Sequence, residues 1–300
     1  AGGPGVTPPA SGRARSITEA LESAVRFLRE TRGRSPRLDA ELLLAHLLEL
    51  SRTQLYARGT DPLEPSLLVA FQELLERRKA GEPVAHLVGW KEFYGRRFTV
   101  SPQALIPRPE TEFLVESGLQ LLERSAPIRP DILELCTGSG AVAITMAMEI
   151  PHAAVWATDL SEQALELARE NVLAHRVQER VLLYQGDLFG AFSDPRHFDL
   201  ILANPPYVGT ERGPAPEEAV VRHEPAMALF AGPDGLEVVR RLVAEAPEWL
   251  VDGGNLVLEV AAGQSEGVEA MMQERGFQDT GLVCDLTGLP RVVLGRWEER

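Results

Sequence analysis

The sequence has 300 residues, 44% of them hydrophobic, so it can bury a substantial core in one large domain or two smaller ones. No apolar run approaches the ~20 residues of a membrane helix, and no signal-peptide core is found. The two cysteines, Cys136 and Cys284, lie far apart and indicate neither a disulfide framework nor a metal site. These features favour a cytoplasmic protein without a metal. The formal net charge of −14 is uneven: residues 1–100 carry 15 Lys and Arg against 12 Asp and Glu, whereas residues 101–300 carry a net charge of −17, which would repel nucleic acid and attract a cationic small molecule.

Residues 1–15 are rich in Gly, Pro and small side chains and are predicted to form a disordered tail. The spacing of Ser16 and Glu19 is that of a capping box, and it predicts a first helix; two more are predicted at 38–50 and at 65–79, the last ending before Gly81. These helices form a small N-terminal domain, residues 16–87. Alternating and aromatic residues from 89 to 100 predict a β-hairpin, and we assign residues 88–104 as a linker.

The remaining residues, 105–300, begin with the loop LIPRPETE, which precedes a helix. This loop fits either an interdomain linker or a lid over a site. Strands and helices then alternate. Strands are predicted at 131–136, 154–158, 181–185, 198–203, 255–260, 282–285 and 291–296, and helices after residue 140 and at 161–175, 236–250 and 265–275. The alternation predicts an α/β fold with a doubly wound, mostly parallel, seven-stranded Rossmann-like sheet, and its last two strands form an antiparallel edge because no helix separates them.

Three motifs follow the first three strands of this sheet and outline a pocket for adenosine. The first is a glycine-containing turn, where a backbone can approach a ligand closely, formed by Cys136, Thr137, Gly138, Ser139 and Gly140. Asp159, 19 residues beyond Gly140, can accept hydrogen bonds from two ribose hydroxyls, while Asp187 can bind an exocyclic amine and Leu188 can flank a purine ring. Each motif alone also fits a tight connection or a helix cap.

The choice of cofactor follows from two phosphate-binding motifs that this sequence lacks. A full GxGxxG is interrupted at Cys136, and GxxxxGK[ST] does not occur. Combined with the sequence NPPY after the fourth strand, this pattern fits an adenosine cofactor that carries a sulfonium and no phosphate, which is S-adenosylmethionine, with S-adenosylhomocysteine as the product.

The fourth strand runs into the sequence FDLILANPPY, from Phe198 to Tyr207. Pro205 and Pro206 lack N–H groups, so they end the strand and hold Asn204 at its carboxyl end, where open α/β sheets bind ligands. The Asn204 side chain and nearby backbone carbonyls can accept hydrogen bonds from an –NH2 group, and the ring of Tyr207 can cover a planar amide or base. An ordinary turn at the end of a strand is the alternative interpretation.

In their order along the chain, these motifs resemble those of the release-factor glutamine methyltransferases. The resemblance covers nearly everything after the tail and rests on GEPVAHLVGWKEFYGRRFTV, LIPRPETE, ELCTGSG, Asp159, GDL, NPPY and RHEPAMALFAGPDGL. NPPY alone is shared with DNA enzymes that methylate amino groups. Cys136 departs from the family pattern, which usually has Gly there, and we expect a slightly tighter turn that still binds the cofactor.

The resemblance implies transfer of a methyl group from S-adenosylmethionine to the side-chain amide nitrogen of the glutamine in the GGQ motif of peptide chain release factors, in support of translation termination. It implies that residues 136–140 hold the methionine part of the cofactor, that Asp159 binds the ribose, and that Asp187 with Leu188 borders the adenine. Asn204 is also expected among the cofactor-binding residues. It further implies a substrate site made of Asn204, Pro205, Pro206 and Tyr207. In that site the Asn204 side chain and the Pro205 carbonyl take the two amide protons, Tyr207 stacks on the amide, and no metal takes part.

Three other functions stay open at this point. The same site could methylate a glutamine of a ribosomal protein. An adenine-amino DNA methyltransferase would also use NPPY, but it would need a positively charged groove for a flipped base, for which a net charge of −17 over residues 101–300 offers little material. A nucleoside-binding module without activity would leave NPPY unexplained. We expect no membrane contact and no direct DNA binding. We expect the N-terminal domain to help dock a protein substrate, because residues 1–100 carry a net charge of +3.

Overall fold

The computed structural model describes residues 15–29, 35–194, 196–212 and 218–299. The chain divides into two compact units, Ala1–Val88 and Gly89–Arg300. The predicted tail falls outside the described residues except for Arg15, and the predicted domain boundaries after residues 15, 87 and 104 stay predictions. Among the described residues, no helix is both long and apolar enough to cross a membrane.

The described residues of the first unit form α1 (Ile17–Leu28), α2 (Pro36–Leu48), α3 (Arg52–Ala57), α4 (Pro65–Lys79) and α5 (Val84–Val88). The capping box is confirmed, because Ser16 Oγ accepts from the N–H of Glu19 and the Glu19 carboxylate accepts from the N–H of Ser16. Helix α2 starts earlier than predicted, since Ser35 caps it and a proline fits its first turn. Helices α3 and α5 were not predicted, because they are too short to show a helical period.

The second unit opens with the predicted hairpin, whose strands β1 (Trp90–Phe93) and β2 (Arg96–Thr99) are antiparallel. Seven further strands form one sheet: β3 (Asp131–Leu135), β4 (Ala154–Asp159), β5 (Val181–Gln185), β6 (Phe198–Ala203), β7 (Leu250–Glu259), β8 (Gln278–Cys284) and β9 (Pro290–Arg296). Their order is β5-β4-β3-β6-β7-β9-β8. Strands β3 to β7 are parallel, and β9 is antiparallel to both β7 and β8. The predicted mostly parallel sheet with an antiparallel edge is confirmed.

Helices cover both faces of this sheet: α6 (Glu112–Ser125), α7 (Ala141–Glu149), α8 (Glu162–Ala174), α10 (Glu237–Glu245) and α11 (Ser265–Arg275). The short helix α9 (Glu218–His223) lies in the connection between β6 and α10. The central strand β6 shows how the two faces are filled. Leu200 and Leu202 pack in one apolar cluster, whereas Ile201 and Ala203 pack in the other, and all four are fully buried. Burial of each leucine or isoleucine side chain stabilises the fold by about 1.5–3 kcal/mol.

The predicted helix at 236–250 is wrong in its last part. Helix α10 ends at Glu245, a 3-10 turn follows over Ala246–Trp249, and β7 begins at Leu250. Pro247 explains the difference, because it has no N–H to donate and its ring obstructs the preceding helical turn. Strand β7 therefore starts five residues before the predicted strand at 255–260.

The strand order reverses at β3, whose neighbours are β4 and β6. After β5 the chain returns to the other side of β3 to form β6. Such a switch point leaves a crevice outside the carboxyl ends of the strands, which is where open α/β sheets bind ligands. The residues after β3, β4, β5 and β6 all lie at this edge of the sheet.

Candidate active site

A cavity of about 390 Å³ lies at this edge of the second unit. Its wall contains most of the residues predicted for a site: Cys136, Thr137, Gly138, Ser139, Asp159, Asp187, Leu188, Asn204 and Pro206. Three other predicted residues that the structure describes, Gly140, Pro205 and Tyr207, lie outside the wall. The fold thus brings together the ends of four strands, as the sequence predicts.

The glycine turn after β3 contains three residues in the left-handed region within five positions: Cys136 with φ 61°, Gly138 with φ 56° and Gly140 with φ 79°. A glycine at position 136 would adopt this conformation without strain, whereas Cys136 carries a Cβ in it. A Cβ on Gly140 would lie 3.2 Å from Ala168 Cβ, so this glycine permits the close packing of α7 on α8. Burial raises the pKa of the Cys136 thiol, so the thiol stays protonated.

Asp159 ends β4 and is fixed by two backbone donors. Its Oδ2 accepts from the N–H of Gly138 at 2.8 Å, and its Oδ1 accepts from the N–H of Ser161 at 2.9 Å. Burial raises the pKa of Asp159, and the backbone hydrogen bonds oppose that rise. Each carboxylate oxygen has a second lone pair, so the group can still accept from two vicinal hydroxyls.

Asp187 follows β5 and is bound by Arg241 of α10, a residue that sequence reasoning missed. The guanidinium donates to Asp187 Oδ1 at 3.1 Å and to Oδ2 at 2.9 Å, and Arg241 itself lies in the cavity wall. Both side chains are exposed. An amine bound by Asp187 would therefore share the carboxylate with Arg241. Leu188 is buried next to it and has a φ of 52°.

Asn204 lies directly after β6, and its two amide atoms are in different situations. Nδ2 donates to Thr111 Oγ1 at 3.1 Å. Oδ1 is buried and has no hydrogen-bond partner within the part of the chain that the structure describes. A buried acceptor left unsatisfied costs about 1–3 kcal/mol, so such an atom in a cavity wall suits a donor supplied by a ligand.

Val208, the residue after NPPY, is tied to the segment that contains RHEP. Val208 donates its N–H to the carbonyl of Leu229 at 2.8 Å, and the carbonyl of Val208 accepts from the N–H of Ala231 at 3.0 Å. The carbonyl of Tyr207 accepts from Gln264 Nε2 at 3.1 Å. Burial raises the pKa of Tyr207 to about 12, so its phenol is neutral at physiological pH.

The loop LIPRPETE is also joined to the RHEP segment. The buried carboxylate of Glu224 accepts from the N–H of Ile106 at 3.1 Å and from Arg108 Nη2 at 2.6 Å. Arg108 and Thr111 of this loop lie in the cavity wall. The loop is therefore part of the wall of the site, besides any role as a linker.

Two buried carboxyl groups were missed as site residues by sequence reasoning. Glu134 on β3 lies in the cavity wall and accepts from Thr137 Oγ1 and from the N–H of Ala143; burial raises its pKa to about 8. Glu259 ends β7, and burial raises its pKa to about 7. The available signal was a glutamate inside an otherwise apolar strand, a residue type that is almost never fully buried without a partner.

Comparison with known proteins gives matches over most of the chain. Residues 19–89 match the family model of the PrmC N-terminal domain, and residues 111–222 match that of the methyltransferase small domain. The chain is 38% identical over 281 residues to a release factor glutamine methyltransferase of Koribacter versatilis, covering 94% of this chain and 98% of that protein. It is 43% identical over 263 residues to one of Deinococcus radiodurans, covering 87% and 91%.

The fold is also similar to a solved structure with little sequence identity. The catalytic domain of hMettl16, solved in complex with MAT2A 3'UTR hairpin 6, matches with a TM-score of 0.56 and 14% identity, covering 74% of this chain and 82% of that one. This likeness concerns the architecture of the sheet and its helices.

Proposed function

Because the chain belongs to the family of release factor glutamine methyltransferases, we propose that it transfers a methyl group from S-adenosylmethionine to the side-chain amide nitrogen of the glutamine in the GGQ motif of a peptide chain release factor. The observation that carries this proposal is Asn204 Oδ1, a buried acceptor without a partner among the described residues, on a side chain of the cavity wall. A primary amide offers two N–H donors. One suits Asn204 Oδ1, and the other suits the carbonyl of Pro205.

The residues of the cavity wall fit the cofactor. The left-handed φ angle at Gly138 makes a turn that exposes backbone to a ligand. Asp159 keeps lone pairs for the ribose hydroxyls, and Leu188 offers an apolar surface to the adenine. The carboxylates of Asp159 and Asp187 also favour a positively charged ligand. The cavity volume of about 390 Å³ lies within the ~300–1,000 Å³ range of small-molecule sites.

The chemistry requires that a poor nucleophile be fixed in place, because an amide nitrogen shares its lone pair with its carbonyl. S-adenosylmethionine, when bound, supplies a methyl group that is activated by its positive sulfonium. Asn204 Oδ1 and the Pro205 carbonyl hold the two amide protons, and these hydrogen bonds strengthen as positive charge develops on the nitrogen. The neutral Tyr207 ring covers the amide plane. The proton leaves the nitrogen late, since N-methylation makes that amide strongly acidic.

The substrate class can be tested by incubating the full chain with S-adenosylmethionine labelled in its methyl group. The acceptors are a release factor, its GGQ-to-GGA variant, a ribosomal protein and DNA. Label is expected on the release factor and is expected to be lost from the GGA variant. Label that persists on the GGA variant at the same peptide, or that is found on DNA alone, would contradict the proposal; label on the ribosomal protein alone would favour the second glutamine substrate.

The role of Asn204 is tested in the same assay. Asn204→Ala removes the acceptor and is expected to lower transfer by at least 100-fold, while calorimetry still detects binding of S-adenosylhomocysteine. Gln278→Ala is a suitable control, because the Gln278 side chain is exposed on β8 and, within the described part of the chain, donates to the carbonyl of Gly276. If Asn204→Ala retained most of the activity, Asn204 would not hold the substrate amide.

Two further expectations belong to this proposal. The release factor is expected to dock with help from the helical first unit. The protein is expected to act in the cytoplasm, without binding DNA or a membrane.

A further inference from the structure

Three side chains from distant segments meet behind the proposed substrate site. Thr111 precedes α6, Asn204 follows β6, and Glu259 ends β7. Because Ala203 pairs with Leu258 in the parallel register of β6 and β7, Asn204 and Glu259 are the next pair along the two strands. Thr111 acts on both: its Oγ1 accepts from Asn204 Nδ2 at 3.1 Å, and its hydroxyl, as a donor, lowers the pKa of the Glu259 carboxyl group against the rise that burial causes.

We propose that Glu259 and Thr111 are positioning residues that hold the Asn204 amide with its oxygen directed to the substrate. This inference rests on the proposed function, because it concerns the acceptor of the substrate amide. Neither residue needs to touch the substrate or the cofactor. They act on the reaction through the orientation of Asn204.

The orientation of an asparagine amide is set by its hydrogen-bond partners, because its oxygen and nitrogen are nearly equal in size. A threonine hydroxyl has one proton and two lone pairs. An ionised carboxylate can only accept, so the proton of Thr111 must point to Glu259, and a lone pair of Thr111 is left for a donor. Asn204 satisfies that lone pair with Nδ2, which directs Oδ1 away from Thr111.

The reversed amide would be disfavoured on both sides. Its oxygen would face a lone pair of Thr111, and its –NH2 group would face the –NH2 group of the substrate glutamine. Thr111 is 5% exposed and Glu259 is 2% exposed, so water does not readily take over these contacts. Glu259 Oε2 has no partner among the described residues. Burying such a polar group costs free energy, so a carboxyl group would be unfavourable here if it served packing alone.

Protonation of Glu259 would remove this control. A neutral carboxyl group can donate its own proton to Thr111, and the proton of Thr111 is then free to point at Asn204, which favours the reversed amide. Burial raises the pKa of Glu259 to about 7. The charged and titratable groups that face it are Glu110, which raises this pKa, Arg291 and Arg108, which lower it, and Tyr207, whose own pKa is raised in part by Glu259.

The experiment uses the full chain and a release factor that the wild-type chain methylates, with single-turnover rates and with kcat and KM measured from pH 6 to pH 8.5. Thr111→Val keeps the shape of the side chain and removes both hydrogen bonds. It is expected to lower kcat by roughly 10- to 100-fold with little change in the KM for the release factor. Thr111→Ser restores the hydroxyl and is expected to recover kcat to within about threefold.

The matched control is Thr145→Val. Thr145 is fully buried in α7, donates to the carbonyl of Ala141 at 2.7 Å and is not part of the cavity wall as described, so kcat is expected to stay unchanged. For the wild-type chain the single-turnover rate is expected to rise through about pH 7 as Glu259 ionises. Glu259→Gln removes this ionisation, so its slower rate is expected to lack the rise through about pH 7.

The outcomes distinguish failure of the proposed function from failure of the positioning role of Thr111 and Glu259. If the wild-type chain transfers no label to a release factor, the proposed function fails, and this inference fails with it. If transfer occurs and Thr111→Val keeps kcat within twofold of the wild type, only the inference is overturned. Should Thr111→Val fail to bind S-adenosylhomocysteine in calorimetry, Glu259→Gln decides. A pH profile that keeps the wild-type inflection near pH 7 overturns the inference, and a profile without that inflection supports it.

Discussion

The ion pair of Arg108 and Glu224 joins two loops of the cavity wall. Replacing Arg108 by methionine tests how much this ion pair contributes to stability. The Glu224 side chain is 1% exposed and that of Arg108 is 30% exposed. Removing one partner of a buried ion pair costs about 3–5 kcal/mol, because it leaves an uncompensated buried charge. Water can reach the place of the half-buried guanidinium, and Glu224 keeps the N–H of Ile106, so we expect the lower end, about 3 kcal/mol of unfolding free energy.

Urea unfolding followed by tryptophan fluorescence measures this change. The signal reports the second unit, since all four tryptophans lie in it: Trp90, Trp156, Trp249 and Trp297. Glu224→Gln removes the buried charge, so the double variant with Arg108→Met is expected to be about 2 kcal/mol more stable than the sum of the single effects predicts. Asp279→Asn is the control, because this partner of Arg296 is 71% exposed and its loss should cost under about 1 kcal/mol.

A cost of less than about 1 kcal/mol for Arg108→Met would refute the reasoning, because the Glu224 carboxylate would then be stable in its buried place without the guanidinium. Additive effects in the double variant would refute it as well. They would mean that the two side chains stabilise the fold independently, and that the pair does not join the two loops.

Three further predictions concern the turn after β3 and use the same fluorescence assay. Cys136→Gly is expected to raise the unfolding free energy by about 0.5 kcal/mol, because the strain of a Cβ at φ 61° exceeds the extra entropy of an unfolded glycine; a clear loss of stability would contradict this. Gly140→Ala is expected to lower the unfolding free energy by at least about 2 kcal/mol, because φ is 79° there and the new Cβ would lie 3.2 Å from Ala168 Cβ. Gly138→Ala should cost less, since its Cβ would lie 3.9 Å from its nearest neighbour. Equal costs would argue against the packing role of Gly140. Burial raises the pKa of Glu134 from 4.5 to about 8, so between these pH values the folded state keeps a proton that the unfolded state has lost. The unfolding free energy of the wild type should therefore fall as the pH rises from about 4.5 to about 8, and that of Glu134→Gln should fall less. Parallel plots of unfolding free energy against pH would refute this pKa assignment.

Most of the fold could be predicted because it follows from local patterns. Strands β5 and β6 and helices α4 and α11 have the predicted bounds, since each is a long periodic or apolar run with a clear end. Predictions were wrong where a local breaker competed with an apolar pattern, as Pro247 does between α10 and β7. Helices α3 and α5, at six and five residues, have too few turns to show a period.

The candidate site could be predicted where it depends on the ends of strands. Parallel strands bring their carboxyl ends to one edge, so the turn at Gly138, Asp159, Asp187 and Asn204 had to meet once the alternation was recognised. Gly140 illustrates the limit of that reasoning. Gly140 has a positive φ, which glycine adopts without strain, but the space beside its missing side chain is occupied by α8.

The sequence by itself determined the order of the elements, the edge of the sheet at which the candidate site lies and the position of Asn204 before two prolines, because all of these follow from residues close together in the chain. Only the tertiary structure decided which side chains control those residues. Thr111 contacts Asn204 across 93 positions, Arg241 binds Asp187 across 54, and Glu224 binds Arg108 across 116. Such contacts depend on how helices and loops pack over the sheet, and a hydrogen bond has no period in the sequence that would reveal its partner.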